Sequence, residues 1–215
     1  EGMNLSEIAD SIEKSGIISR LAFEQALENP DLLQAEGLTT RSFEGYLFPD
    51  TYEFPRGTGA EQIIHAMRAQ LEKRWLPEWT QRVQILEMSR HDIITLASII
   101  EKESGNFEEQ PVISSVFHNR LKKGMRLQAD PTVIYGIKNF NGNITKKDLL
   151  TLTPYNTYMV DGLPPGPIAN PGLSAIKAAL YPTDTNFLYF VGNGQGKHIF
   201  SESLDKHNEA VNRYQ

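Results

Sequence analysis

The sequence predicts an α+β fold: a helical N-terminal part followed by a domain of mixed helices and short strands. Three observations carry that expectation. Apolar residues recur at three- and four-residue spacing in successive stretches as far as Lys122. Beyond Gly124 the pattern gives way to turn-rich segments. Finally, Leu188-Tyr189-Phe190-Val191 and His198-Ile199-Phe200 flank Gly192-Asn193-Gly194-Gln195-Gly196, a hairpin signature. A length of 215 residues suits one large domain or two small ones. The division is expected near residues 85–90, giving units 1–88 and 89–215, although no Gly/Ser linker marks it.

Leu5, Ile8, Ala9 and Ile12 define the first helix, which Gly16 ends. A second runs from Ser19 to Leu27 and stops before Asn29-Pro30. Residues 37–55 interleave Phe43, Tyr46, Phe48, Tyr52 and Phe54 with Gly45, Pro49, Asp50 and Pro55, so they read as an aromatic, turn-rich connection. A long helix is expected over 60–75, with Ile63, Ile64, Met67 and Leu71 on one face and Pro77 marking its end. The next helix, 89–104, opens on Ser89 with Asp92 three residues on, a capping box with Asp in the usual Glu position. Pro111 suits the first turn of a helix through Lys122, closed by Gly124. Residues 125–145 are expected to form short strands around Asp130-Pro131 and the Asn141-Gly142 turn. A Pro/Gly-rich loop over 153–172, a short helix over 173–180, the hairpin and a helix over 203–214 complete the chain.

Composition excludes several function classes. With no cysteine, disulfide scaffolds, thiolate zinc sites and cysteine nucleophiles are ruled out together. An excess of 27 Asp+Glu over 21 Lys+Arg argues against a duplex nucleic-acid binder, which needs a dense basic face. No apolar run approaches the roughly 18 residues that spanning a bilayer takes, and no signal-peptide pattern opens the chain. The first residue is Glu1, not Met, so a processed or partial product is expected, and an anchor upstream stays open. His65, His91, His118, His198 and His207 show no metal-ligand spacing and read most simply as surface or hydrogen-bonded residues. No Gly-x-Ser-x-Gly elbow or phosphate loop occurs. No metal and no cofactor are expected.

Carboxylates remain. On the 89–104 helix, Ile93, Leu96, Ala97, Ile99 and Ile100 define a broad apolar face, with Lys102 opposite it and Glu101 on its flank. Glu103 follows Ile100 by three residues and Leu96 by seven, so it falls back inside that face. Poor solvation there penalises the charged form and raises the pKa, which suits a general acid near neutral pH. The competing reading is that the apolar stripe frays and Glu103 turns outward. Asn119-Arg120, Gln128, Asp130 and Tyr155-Asn156-Thr157-Tyr158 form further polar groupings before the rigid Gly162-Leu163-Pro164-Pro165-Gly166-Pro167 segment. Amides beside aromatic faces suit a sugar bearing acetamido groups, and together these residues suggest a long polar cleft. Each taken singly also fits a cap, a turn or a core edge.

Several long motifs then match a known family in fixed order. They are Ala97-Ser98-Ile99-Ile100-Glu101-Lys102-Glu103-Ser104, Ser115-Val116-Phe117-His118-Asn119-Arg120-Leu121, and the run Gly124 to Gly136 containing Leu127-Gln128-Ala129-Asp130-Pro131-Thr132. Phe48-Pro49-Asp50-Thr51-Tyr52, Tyr155-Asn156-Thr157-Tyr158, Gly162 to Ile168 and Tyr189-Phe190-Val191 add to them. The chain resembles, over nearly its whole length, the endolytic murein transglycosylases of bacteria, the YceG-like peptidoglycan terminases.

That resemblance implies a catalytic unit at 89–215, and at 1–88 a helical, aromatic subdomain following a truncated LysM-like region. It implies Glu103 as the catalytic acid, in agreement with the helical-face argument; Gln128, Asn156 and Tyr158 are then the residues expected to orient the sugars. Asn119, Arg120, Asp130, Tyr155 and Thr157 would support them. The implied reaction is non-hydrolytic cleavage between N-acetylmuramic acid and N-acetylglucosamine, leaving a 1,6-anhydro end. Implied partners are peptidoglycan glycan strands, peptidoglycan synthases and other cell-wall elongation proteins, with no nucleic acid. The implied location is the outer side of the cell membrane, reached through a single-pass N-terminal anchor absent from this chain. Two alternatives stay open: a lysozyme-like hydrolase with Asp130 as second carboxylate, and an inactive peptidoglycan-binding module.

Overall fold

A computed structural model describes residues 1–138 and 140–214 and gives an α+β arrangement, mainly helical with one small sheet. The N-terminal helices α1 (Leu5–Ser15), α2 (Arg20–Leu27), α3 (Pro30–Ala35) and α4 (Ala60–Arg74) bury Ile8, Phe23, Leu33, Ile63 and Ile64 in one cluster around Phe43 and Leu47. Asn4 caps α1 by accepting from the Glu7 amide, and Gly16 ends that helix in the left-handed region at φ 73°. The helices expected to stop before Pro30 and Pro77 do so, and each proline also opens a new helix. Pro30 begins α3 and Pro77 begins α5 (Pro77–Ile85), because a first-turn residue has no intrahelical partner for its N–H to lose.

The larger core is organised around α6 (Arg90–Glu103), which the Ser89/Asp92 capping box starts as expected. Every residue from Ile93 to Ile100 is buried, so α6 is enclosed on almost all sides and not along one stripe. It packs most extensively on α10 (Leu173–Leu180), and also on α5, α7 (Gln110–Lys122) and α8 (Asp130–Tyr135). This core also draws Tyr46, Phe48, Leu71, Trp79 and Val83 from the first 88 residues. The strands expected within 125–145 are absent among the described residues; Asn139, inside that stretch, lies outside them. Asp130-Pro131 starts α8, and Thr145 with Asp148 forms a capping box for α9 (Lys146–Leu150). Both signals favour a helix start over a strand edge.

Strands β1 (Tyr189–Gly192) and β2 (His198–Ser201) pair antiparallel, Tyr189 opposite Ser201 and Gly192 opposite His198. Helix α11 (Leu204–Tyr214) packs on this hairpin, which in turn meets α7. No helix among the described residues is long and apolar enough to cross a membrane.

Polar side chains fasten the Pro/Gly-rich loop to both cores. Ser98 Oγ accepts from the Ile168 amide at 3.0 Å. Asn170 Oδ1 accepts from the Leu47 amide, while its Nδ2 donates to Met3 O and to Glu44 Oε1. Glu44 is almost fully buried and also accepts from the Leu5 amide and the Tyr135 hydroxyl. Burial pushes its carboxyl up to about 7. Beside it Gly45, at φ 85°, lies under Pro167, and a Cβ there would stand 2.9 Å from Ile94 Cγ2. Gly45→Ala therefore combines backbone strain with overpacking and is expected to destabilise the fold by roughly 2 kcal/mol or more. Urea denaturation monitored by tryptophan fluorescence checks this.

Candidate active site

Helix α6 ends at Glu103 because Ser104 turns to extended backbone, φ −138° and ψ 122°. Ser104 is itself buried, its hydroxyl accepting from the Asn106 amide. The last helical turn thus projects three side chains in different directions. Lys102 is exposed and reaches Gly2 O. Glu101 accepts from the Gly172 amide at 3.3 Å. Glu103 turns inward, as its place on the apolar face predicts, and lines a cleft of about 420 Å³.

Among the described residues no protein group hydrogen-bonds the Glu103 carboxyl. Loss of water is the main influence on it and, with help from the nearby Asp130 charge, pushes its pKa up to about 8 against the pull of Arg120. Burial also raises Glu101, but the Gly172 amide opposes that rise by stabilising the charged form. Burial thus raises both acids of this helical turn, but only Glu101 has a backbone amide to stabilise its charged form; Glu103, at about 8, is largely protonated near neutrality.

Four other expected site residues share this cleft: Arg120, Gln128, Asp130 and Tyr158. Arg120 is buried, and its Nε donates to Leu188 O at 2.6 Å while Nη1 donates to Leu127 O at 2.8 Å. Its guanidinium lies 5.2 Å from the centre of the Tyr189 ring. Its partners are backbone carbonyls and, at 3.5 Å, Gln128 Oε1, so it holds a positive charge in the cleft wall without a direct ion pair among the described residues. Gln128 occupies the left-handed region at φ 50°, a strained conformation for a residue with a side chain. Its amide donates to Thr157 O at 3.1 Å, and the next amide, of Ala129, donates to Thr157 Oγ1 at 3.0 Å. The Tyr158 hydroxyl donates to Asp130 Oδ1 at 2.6 Å. Burial, then that bond, raises the phenol above its ordinary value, so it stays a donor.

The remaining expected residues lie off the cleft lining and are committed to the framework. Asn119 Nδ2 donates to the carbonyls of Thr185 and Phe187, tying α7 to the segment before the hairpin. Asn156 is buried, and its Nδ2 donates to Asp148, Leu149 and Thr151 carbonyls at the end of α9. Thr157 shares a hydroxyl bond with Thr132 in addition to its bonds to the strained segment. Tyr155 packs against Tyr135, ring centres 4.8 Å apart.

Conversely, Tyr189, Phe190, His198 and His207 line the cleft, and sequence reasoning missed them. The hairpin aromatics were legible as strand residues and nothing more. Their side of the cleft exists because the hairpin packs on α7 and α11 packs on the hairpin.

Chemically, the cleft sets a protonated acid beside an engaged carboxylate, an amide, a phenol and a buried cation. This donor set fits a polar, uncharged or weakly anionic chain such as a polysaccharide.

The YceG-like family model matches residues 1–213. The chain belongs to the YceG-like family. A relative from Bacillus subtilis (strain 168), named endolytic murein transglycosylase, is 38% identical over 229 residues, covering 100% of this chain and 63% of the relative. A Streptococcus pneumoniae D39 protein of the same name is 32% identical over 174 residues, 78% of this chain and 31% of that one. The chain thus spans less than two thirds of the length of these curated relatives. The crystal structure of a yceG-like protein from Listeria monocytogenes superposes with a TM-score of 0.86 at 38% identity, over 97% of this chain and 73% of that one.

In this YceG-like chain the folded state holds the Glu103 proton more tightly than the unfolded chain does. The group therefore contributes stability that is fully present below its ordinary pKa of 4.5 and lost as pH rises to about 8. Glu103→Gln removes the titration, so thermal denaturation should show the variant gaining on the parent as pH goes from about 4.5 to 8. A difference in melting temperature that stays constant with pH would contradict the assignment.

Proposed function

We propose that this chain is the catalytic part of an endolytic lytic transglycosylase. It cleaves the β-1,4 bond between N-acetylmuramic acid and N-acetylglucosamine in nascent glycan strands, leaving 1,6-anhydromuramoyl ends and so terminating strand growth. The observation that carries this reading is Glu103: a half-buried, poorly hydrated acid, largely protonated near neutrality, at the wall of a polar cleft. The names of the B. subtilis and S. pneumoniae relatives support it.

In the first step the Glu103 carboxyl protonates the departing glycosidic oxygen, and the bond from the muramoyl anomeric carbon breaks. Protonation and bond cleavage proceed together because the acid's pKa lies close to the working pH. The positive charge at the anomeric carbon is shared by the substrate's own acetamido oxygen. Glu103, now a carboxylate, takes the proton of the muramoyl C6 hydroxyl as that oxygen attacks the anomeric carbon. One group serves as acid and then base, so no second carboxylate is needed to activate water, unlike the pair in ordinary glycosidases. Asp130, engaged by the Tyr158 hydroxyl, holds that phenol in place and helps keep Glu103 protonated. Arg120 offsets the negative charge that Glu103 acquires between the steps.

Gln128 and Tyr158 orient the sugars directly. Thr157 fixes the strained Gln128 backbone, Asn156 and Asn119 brace the flanking segments, and Tyr155 packs behind them. The site of action is the extracytoplasmic side of the membrane, where the strands are made, and the protein partners are the synthases that make them.

Glu103→Gln should lower turnover on uncrosslinked glycan strands by about 10²–10⁴-fold with the fold intact. Glu101→Gln, which alters a group already held by a backbone amide, should be far milder. Mass spectrometry of the products distinguishes the reactions: anhydro ends weigh one water less than reducing ends. Purely hydrated products would favour hydrolysis and overturn the reading. In the parent, kcat/KM should fall as pH rises through about 8, where Glu103 loses its proton.

A further inference from the structure

His198 opens β2 opposite Gly192, and its ring lines the same cleft as Glu103. Its Nδ1 lies 2.8 Å from Glu109 Oε2, and its backbone N–H donates to Glu109 Oε1 at 3.2 Å. Both side chains are largely enclosed, 17% and 15% exposed. A carboxylate can only accept, so Nδ1 carries the proton and, in the neutral ring, Nε2 presents a lone pair. Among the described residues Nε2 has no hydrogen-bond partner, and it is not sealed from solvent as His207 Nδ1 is. Phe190 meets the ring edge-on at 5.4 Å and fixes its plane.

Other histidines are spent differently. His91 uses both nitrogens, on the Tyr46 hydroxyl and Pro165 O, and His118 Nε2 is bonded to Ala179 O. His198 is held on one edge and open on the other, toward the cleft.

We propose that His198, oriented by Glu109, is a substrate-positioning residue whose Nε2 accepts a hydrogen bond from a hydroxyl of an N-acetylhexosamine unit beside the scissile bond. No proton is transferred; the contact sets the strand's register against Glu103. The inference rests on the reading of the cleft as a glycan site.

Glu109 also sets the tautomer. Two donors, the His198 amide and Nδ1–H, converge on its two oxygens. A glutamine offers one oxygen and one NH₂, so with the oxygen on the amide its NH₂ faces Nδ1 and drives the ring proton to Nε2. Glu109→Gln then turns the cleft-facing acceptor into a donor without removing a side chain.

The first experiment uses ¹⁵N-histidine NMR on the Glu103→Gln protein with an uncrosslinked GlcNAc–MurNAc tetrasaccharide. His198 should show the Nδ1-protonated tautomer, its Nε2 resonance should move on binding, and the tautomer should invert when Glu109→Gln is added. The second is kinetic, with Glu103 intact. His198→Leu should raise KM roughly 3–10-fold, the worth of one neutral hydrogen bond, with kcat little changed, and His198→Gln, which keeps an acceptor, should recover part of the loss. Tetrasaccharide binding that moves Gln128 signals but leaves Nε2 unmoved, or His198→Leu cleavage at parental KM, would overturn this proposal while the glycan reading stands. Neither binding nor cleavage by the parent would overturn both.

Discussion

The structure depends on the near-complete enclosure of α6. Enclosing a helix on all sides favours apolar or self-satisfied residues around its circumference, and α6 supplies both, the buried Thr95 hydroxyl being left without a partner among the described residues. Ile93, Leu96, Ile99 and Ile100 fill the core, and the Ser98 hydroxyl donates to Thr95 O while accepting from Ile168. An enclosed helix cannot rotate or slide without disturbing several neighbours at once. Its final turn therefore delivers Glu103 to one position with one degree of hydration. The same burial that stabilises the helix withholds water from its last carboxyl, so packing and acid strength have one cause.

Around that fixed acid the cleft is assembled from parts distant in sequence. Arg120 from α7, Gln128 and Asp130 from the next connection, Tyr158 from the long loop and the hairpin aromatics converge on it. Arg120 acts as the central fastener, since its guanidinium bonds backbone carbonyls on both the 127 segment and the hairpin. Buried cations satisfied by carbonyls hold backbone in place while keeping their charge available to the cavity.

Much of this was legible in the sequence. The spacing of Ile93 to Ile100 placed Glu103 inward and Lys102 outward, and the Ser89/Asp92 box and the glycine-rich turn fixed the ends of α6 and the hairpin. Proline was the ambiguous signal: Pro30, Pro77 and Pro131 read as breakers or turn residues, whereas each begins a helix. Local pattern cannot decide between stopping one helix and starting another when both happen within three residues. The candidate site divided along the same boundary. Gln128, Asp130, Tyr158 and Arg120 meet at the cleft, whereas Asn119, Asn156, Thr157 and Tyr155 belong to its scaffold, a distinction set by which way a side chain points after folding. His198 and His207 read as surface or hydrogen-bonded residues, and their place in the cleft was not legible because it arises from tertiary packing.

Gln128 sets a side chain in the cleft wall at a cost to its own backbone. At φ 50° glycine would relax the chain, yet it would empty that part of the cleft wall of its amide. Stability-guided redesign would rank glycine favourably at this position, and in doing so would exchange a polar cleft wall for a relaxed backbone. Strain alone is not the distinguishing feature, since exposed Glu87 carries it too at φ 54°; what sets Gln128 apart is that its strain is borne in the wall of the cleft.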